Sequence, residues 1–211
     1  MLNAEFIRAP DGIADHLMVV LHGLGDSMEG YRWLPSALQL DWVTYLLVNA
    51  PEAYYGGYSW YDFAGAPGPG IERSGDLLRE LLAKLEQNFP ADRIFLFGFS
   101  QGCLIASDIG LTYPKRLAGV IGVSGYFHEP ERRLSGLSPV AREQRFLITH
   151  GTQDTLIPLA PVRQQVELLQ GAGLNILWRE FEKGHTIAGE EEIAIIRDFV
   201  QKGRRPAGLK P

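Results

Sequence analysis

The sequence is poor in cysteine, in net positive charge and in long apolar runs, and each shortage excludes something. Its 211 residues include one cysteine, Cys103. A single thiol cannot close an internal disulfide, so nothing ties the chain to an oxidising compartment. Lys and Arg number 20 against 25 Asp and Glu, a formal net charge of -5. That argues against a nucleic-acid partner, which would need a basic stripe. The longest apolar run near the N-terminus covers residues 17–21, far short of the ~20 residues that span a bilayer. Residues 1–15 also lack the basic-then-apolar pattern of a signal peptide. A cytoplasmic protein without a transmembrane segment is expected, although its substrates can still derive from lipid. Scattered apolar residues such as those within 125–144 give no basis for an oligomer.

What the sequence does have is a core. Hydrophobic residues make up 45% of it, an ordinary globular share. Short apolar runs at 16–21, 43–48, 93–97, 118–123, 145–149 and 176–181 alternate with longer amphipathic segments. Several runs are continuous rather than alternating, the pattern of strands buried on both faces of a parallel sheet. Leu77, Leu78, Leu81, Leu82 and Leu85 share one helical face, as do Val162, Val166 and Leu169, and Ile193, Ile196, Phe199 and Val200. This order predicts an α/β fold with a mainly parallel central sheet and helices on both faces. No repeat or composition shift divides the chain, so residues 1–211 read as one domain. The G-A-P-G-P-G stretch at 65–70 reads as a loop, and residues 203–211 as a tail that frays.

The chemistry concentrates at strand ends. Gly98-Phe99-Ser100-Gln101-Gly102 fits G-x-S-x-G, in which a sharp strand-to-helix turn lifts a serine above the sheet edge. Chance also supplies this pattern, but here it lies between an apolar strand and a small-residue helix. Glycine is needed on both sides, since side chains there would meet the neighbouring strand and helix. A serine hydroxyl needs a base. In an α/β-hydrolase the order along the chain is serine, acid, histidine, which leaves His128, His150 and His185 of the five histidines. His185 follows the 176–181 strand and sits at the carboxyl edge, where ligands bind in open α/β sheets. His150 reads instead as a structural histidine bonded to loop backbone, and His128 as exposed. Asp154, in the loop after the 145–149 strand, has the order and place of the acid that orients the imidazole. Asp108 falls mid-helix and would point away. The oxyanion donors expected are the backbone N–H groups of Gln101 and of Leu24, the latter in the glycine-rich loop His22-Gly23-Leu24-Gly25-Asp26. His22 itself reads as a brace for that loop.

Together, L-H-G-L-G-D-S (21–27), N-A-P (49–51), S-W-Y-D (59–62), G-F-S-Q-G (98–102), G-T-Q-D with I-P after it (151–158) and G-H-T-I (184–187) resemble the phospholipase/carboxylesterase family, which includes the acyl-protein thioesterases. The resemblance runs from about residue 17 to 200. It implies an α/β-hydrolase fold without a large cap domain, no cofactor and no metal. It implies the triad Ser100, Asp154 and His185 with Leu24 and Gln101 as oxyanion donors, the five residues already reached. It further implies acyl-site roles for Trp60 and Leu156. The substrate implied is a small acyl ester or thioester, lipid-derived or carried on a protein. The chain departs from the family in having Cys103 where a second glycine usually follows the elbow, and in segments 64–70 and 125–144, both expected at the entrance. Cys103 reads as a small buried residue. The competing class is a non-catalytic ligand-binding protein on the same fold, which predicts a lost triad member; none is lost.

Overall fold

The computed structural model describes residues 2–10 and 14–204. Seven strands form the main sheet. They are β1 (Ala4–Ile7), β2 (His16–Leu21), β3 (Val43–Val48), β6 (Ile94–Phe99), β7 (Gly119–Val123), β8 (Arg145–Gly151) and β9 (Asn175–Phe181). Their order across the sheet is β1-β3-β2-β6-β7-β8-β9. All neighbours run parallel except β1, which pairs antiparallel with β3 at one edge. Strands β4 (Glu52–Tyr54) and β5 (Gly57–Ser59) form a separate hairpin. Its two-residue turn, Tyr55 and Gly56, has positive φ at both positions, 43° and 89°, as a type I′ turn requires.

The continuous apolar runs have the predicted cause. Leu17, Val19 and Leu21 of β2 join one core cluster, and Met18 and Val20 join the other. The first cluster packs under helices α2 (Pro67–Leu85), α3 (Gln101–Thr112) and α5 (Leu159–Gly171). The second packs under α1 (Leu34–Leu38) and α6 (Gly189–Gly203). Both faces of the sheet are therefore covered, and a strand in the middle must be apolar at every position. A short helix, α4 (Pro130–Leu134), lies between β7 and β8. Among the described residues, no helix is long and apolar enough to cross a membrane.

Two expectations need correction. Residues 67–70 are not loop but the first turn of α2. Pro67 and Pro69 suit a first turn because their missing N–H groups would have no partner there. Gly70 lies against the Tyr61 backbone, where a Cβ would come within 2.8 Å of its Cα. At the other end, Gly203 is the last residue of α6 rather than the start of a tail. The rest of the expected tail, from 205 on, lies outside the described residues.

Candidate active site

Four loops leave the carboxyl edge of the sheet and converge. They follow β2, β6, β8 and β9. The loop after β6 is the tightest. Ser100 has φ 54° and ψ -114°, a conformation side-chain-bearing residues rarely adopt, which costs about 1–3 kcal/mol and persists only where its surroundings over-determine it. The flanking glycines show what does so. A Cβ on Gly98 would stand 2.1 Å from the Gly102 carbonyl, and one on Gly102 would stand 2.2 Å from the Leu21 carbonyl of β2. Strand, turn and helix thus approach at backbone contact. The Ser100 N–H is anchored on Val123 O at 2.9 Å. Helix α3 starts at the next residue, so its free N–H groups and positive dipole end face the serine.

Ser100 Oγ lies 2.9 Å from His185 Nε2, and His185 Nδ1 lies 2.8 Å from Asp154 Oδ2. The carboxylate accepts from Nδ1–H, which fixes the tautomer and leaves Nε2 free to accept from the serine hydroxyl. The second carboxylate oxygen, Oδ1, accepts the Leu156 and Ile157 N–H groups at 3.0 and 2.9 Å. Burial pushes the Asp154 carboxyl up, but the Ile157 N–H, His185 and the Leu156 N–H outweigh it, and the net shift is down. Such a relay can take a proton from Oγ as that oxygen attacks.

The loop after β2 is braced from two sides, by Ala50 and by Tyr58. His22 Nε2 accepts the Ala50 N–H at 3.1 Å, so Nδ1 carries the proton and donates to Gly23 O at 2.6 Å. Burial holds this imidazole neutral, with its pKa lowered. The Gly25 N–H donates to Tyr58 O and the Tyr58 N–H to Asp26 O, both at 2.9 Å. Neither the Leu24 nor the Gln101 backbone N–H donates to another backbone carbonyl of the described residues, and both residues border the cavity over Ser100.

Gln101 has a second part that its sequence position did not announce. Its side-chain oxygen accepts the Trp60 N–H at 2.9 Å, while its amide donates to Tyr61 O at 3.0 Å, the carbonyl that also accepts the Ser59 hydroxyl at 2.7 Å. A buried amide at the elbow therefore holds segment 59–61 as a neighbouring strand would. The one advance signal was a long polar side chain at the first position of a helix whose next six residues are uncharged and mostly apolar.

The cavity over Ser100 measures about 360 Å³ and is walled by Tyr61, Phe63, Phe99, Tyr126, Leu156 and Ile157. Leu156 is on this wall, 70% exposed. Trp60 is not, which corrects its expected place. It is fully buried, and its indole N–H donates to His22 O at 2.9 Å, so it packs beneath the site while Tyr61 and Phe63 face it. Of the two segments expected at the entrance, 125–144 contributes Tyr126 and 64–70 contributes no wall residue. His150 is buried and donates from Nε2 to Ile157 O at 2.9 Å, the backbone role expected. His128 is half-buried rather than exposed. Asp108 points away to Arg133, at 2.6 Å. Cys103 is buried behind the elbow, and burial pushes its thiol up to about 12, which keeps it protonated and inert.

Residues 2–203 match the family model described as Phospholipase/Carboxylesterase. The chain belongs to that family. Membership makes it a hydrolase acting on ester or thioester bonds. It is 35% identical over 212 residues to acyl-protein thioesterase 1 of Schizosaccharomyces pombe, across 93% of this chain and 94% of that protein. Among solved structures it is similar to esterase PE8, with a TM-score of 0.84 and 26% identity over 95% of this chain and 98% of that one. The carboxylesterase of Bacillus cereus, 18% identical, shares the fold with a TM-score of 0.82 over 97% of this chain and 95% of that one.

Proposed function

We propose that this chain cleaves acyl esters or thioesters through a serine acyl-enzyme. The Ser100 oxygen attacks the acyl carbonyl while His185 Nε2 takes its proton. The tetrahedral oxyanion is held by the Leu24 and Gln101 N–H groups. The intermediate collapses, breaking the bond to the leaving alcohol or thiol, which receives the proton from His185. Water then enters, His185 removes its proton, and the acid departs with Ser100 restored. Asp154 keeps the imidazole in the working tautomer and stabilises the imidazolium. None of these steps calls on a metal or a cofactor. The observation that carries the reading is the unbroken chain from Ser100 Oγ to His185 at 2.9 Å and on to Asp154 at 2.8 Å.

The walls suit an acyl chain. Tyr61, Phe63, Tyr126, Leu156 and Ile157 offer mostly hydrocarbon beside the nucleophile, and the yeast relative is named for action on acyl-proteins. We therefore favour a lipid-derived or protein-borne acyl group and place the reaction in the cytoplasm, where a free thiol such as Cys103 stays reduced. Two measurements test this. Ser100→Ala should abolish turnover of p-nitrophenyl esters, and wild-type rates in that variant would refute the assignment. Across a series of p-nitrophenyl esters, kcat/KM should rise from acetate to medium-length chains. A flat or falling profile would remove the acyl groove.

A further inference from the structure

A second hollow, about 470 Å³, opens on the far side of His185. Asp26, Phe99 and His185 border both hollows. Ser100, Leu24 and Gln101 border the first and not the second. The second hollow therefore touches the proton carrier but neither the attacking oxygen nor the oxyanion donors. That is the position of a group that must receive a proton from His185 and leave.

We propose that this hollow is the leaving-group subsite and that it selects alcohols or thiols bearing a cationic ammonium. The inference rests on the acyl-enzyme reading above. Its walls differ from the acyl cavity in kind. Trp33 stands 42% exposed on it and stacks on Tyr31, their ring centres 6.5 Å apart. Among aromatic side chains, indole attracts a cation most strongly. Asp26, on the rim that the two hollows share, adds a carboxylate, so the ring pair Tyr31–Trp33 is what sets this hollow apart. One of its oxygens accepts the Ser27 N–H at 2.7 Å. Among the described residues no lysine or arginine lines the hollow, and nearby Arg32 turns away to Glu5 at 2.6 Å. The acyl cavity, in contrast, brings hydrocarbon to the same histidine. The two hollows thus divide the substrate at the scissile bond, with the apolar acyl part on one side and a positively charged part on the other.

The test is a ratio within one active enzyme. A choline ester and the 3,3-dimethylbutyl ester of the same acid have the same shape and differ in one charge. Wild type should favour the choline ester in kcat/KM by roughly tenfold, the size expected of a partly desolvated cation on an indole beside a carboxylate. Added salt should shrink the preference. Asp26→Asn, which keeps an oxygen for the Ser27 N–H, and Trp33→Leu should each bring the ratio towards one. A pair of S-acyl-cysteine peptides with lysine or glutamine beside the cysteine shows whether the ammonium is carried on a small alcohol or on a protein. Discrimination in either pair supports the proposal and identifies the carrier. A ratio at or below one in both pairs, or one that survives both substitutions, overturns it. Turnover of the neutral ester shows the triad working independently of this outcome. Loss of turnover on every substrate would sink the acyl-enzyme reading as well.

Discussion

Asp154 uses both carboxylate oxygens, one for His185 and one for the Leu156 and Ile157 N–H groups. Asp154→Asn should keep an acceptor for the two backbone donors but turn an amide donor towards His185 Nδ1. The imidazole would then carry its proton on Nε2, facing Ser100, and could no longer accept one. kcat should fall by about 10³- to 10⁴-fold, which steady-state kinetics check. The same carboxyl is held below its ordinary value. Its contribution to stability is therefore present above an unfolded pKa near 3.9 and is lost as pH falls through the lower folded value. At this scale the sequence was informative where chain order constrains roles. Ser100, Asp154 and His185 follow in one order at the ends of β6, β8 and β9, and the three side chains meet. Trp60 was misplaced because a motif position gives no depth. Whether an indole faces a cavity or the core depends on what lies behind it, here the His22 carbonyl.

The elements that place these residues are fixed by close approach. The elbow has no room for a methyl group at Gly102, since a Cβ would meet the Leu21 carbonyl at 2.2 Å. Gly102→Ala must push α3 away from β2, and the cost should be about 3 kcal/mol or more, at the upper end for overpacking. Denaturant unfolding measures it; a change under 1 kcal/mol would contradict the geometry. The histidine loop is tied to α6 by a buried ion pair. Lys183 Nζ lies 2.6 and 2.7 Å from the two Glu192 oxygens, one of which also accepts the Ala188 N–H. Removing one partner strands the other charge in the interior. Glu192→Ala should therefore destabilise by about 3–5 kcal/mol, while replacing both residues together with apolar ones of similar volume should cost far less. A double-mutant cycle by urea denaturation separates these. The central strands were legible because burial on both faces makes every position apolar. Strand β1 and the β4–β5 hairpin were not, because three or four residues are too short to establish a period. The first turn of α2 was masked by glycine and proline, which punctuate loops and helix starts alike.

Across the whole molecule, burial acts in one direction on three histidines. His16, His22 and His150 are each pushed below 6.5, burial being the largest cause. Between that value and their lower folded values the unfolded chain binds more protons than the fold. Stability should consequently fall as pH drops through 6.5 and below. The raised carboxyl of Asp108 works the opposite way. Urea midpoints should be lower at pH 5.5 than at pH 7.5, and an equal or higher midpoint at 5.5 would contradict the lowering of these three histidines by burial. The strand order that brings four loops to one edge could not be read from the sequence, which predicts strands but not their neighbours. It is this order that sets β2 beside β6 and carries β8 and β9 round to meet them. The claim that depends on all of it is that Ser100 is the nucleophile. Its most direct test is to treat the intact protein with a fluorophosphonate and map the adduct by peptide mass spectrometry. The account predicts one adduct per chain, on Ser100, lost in Ser100→Ala and greatly slowed in His185→Ala. An adduct on another residue, or an unlabelled Ser100 in a preparation that still hydrolyses esters, would contradict it.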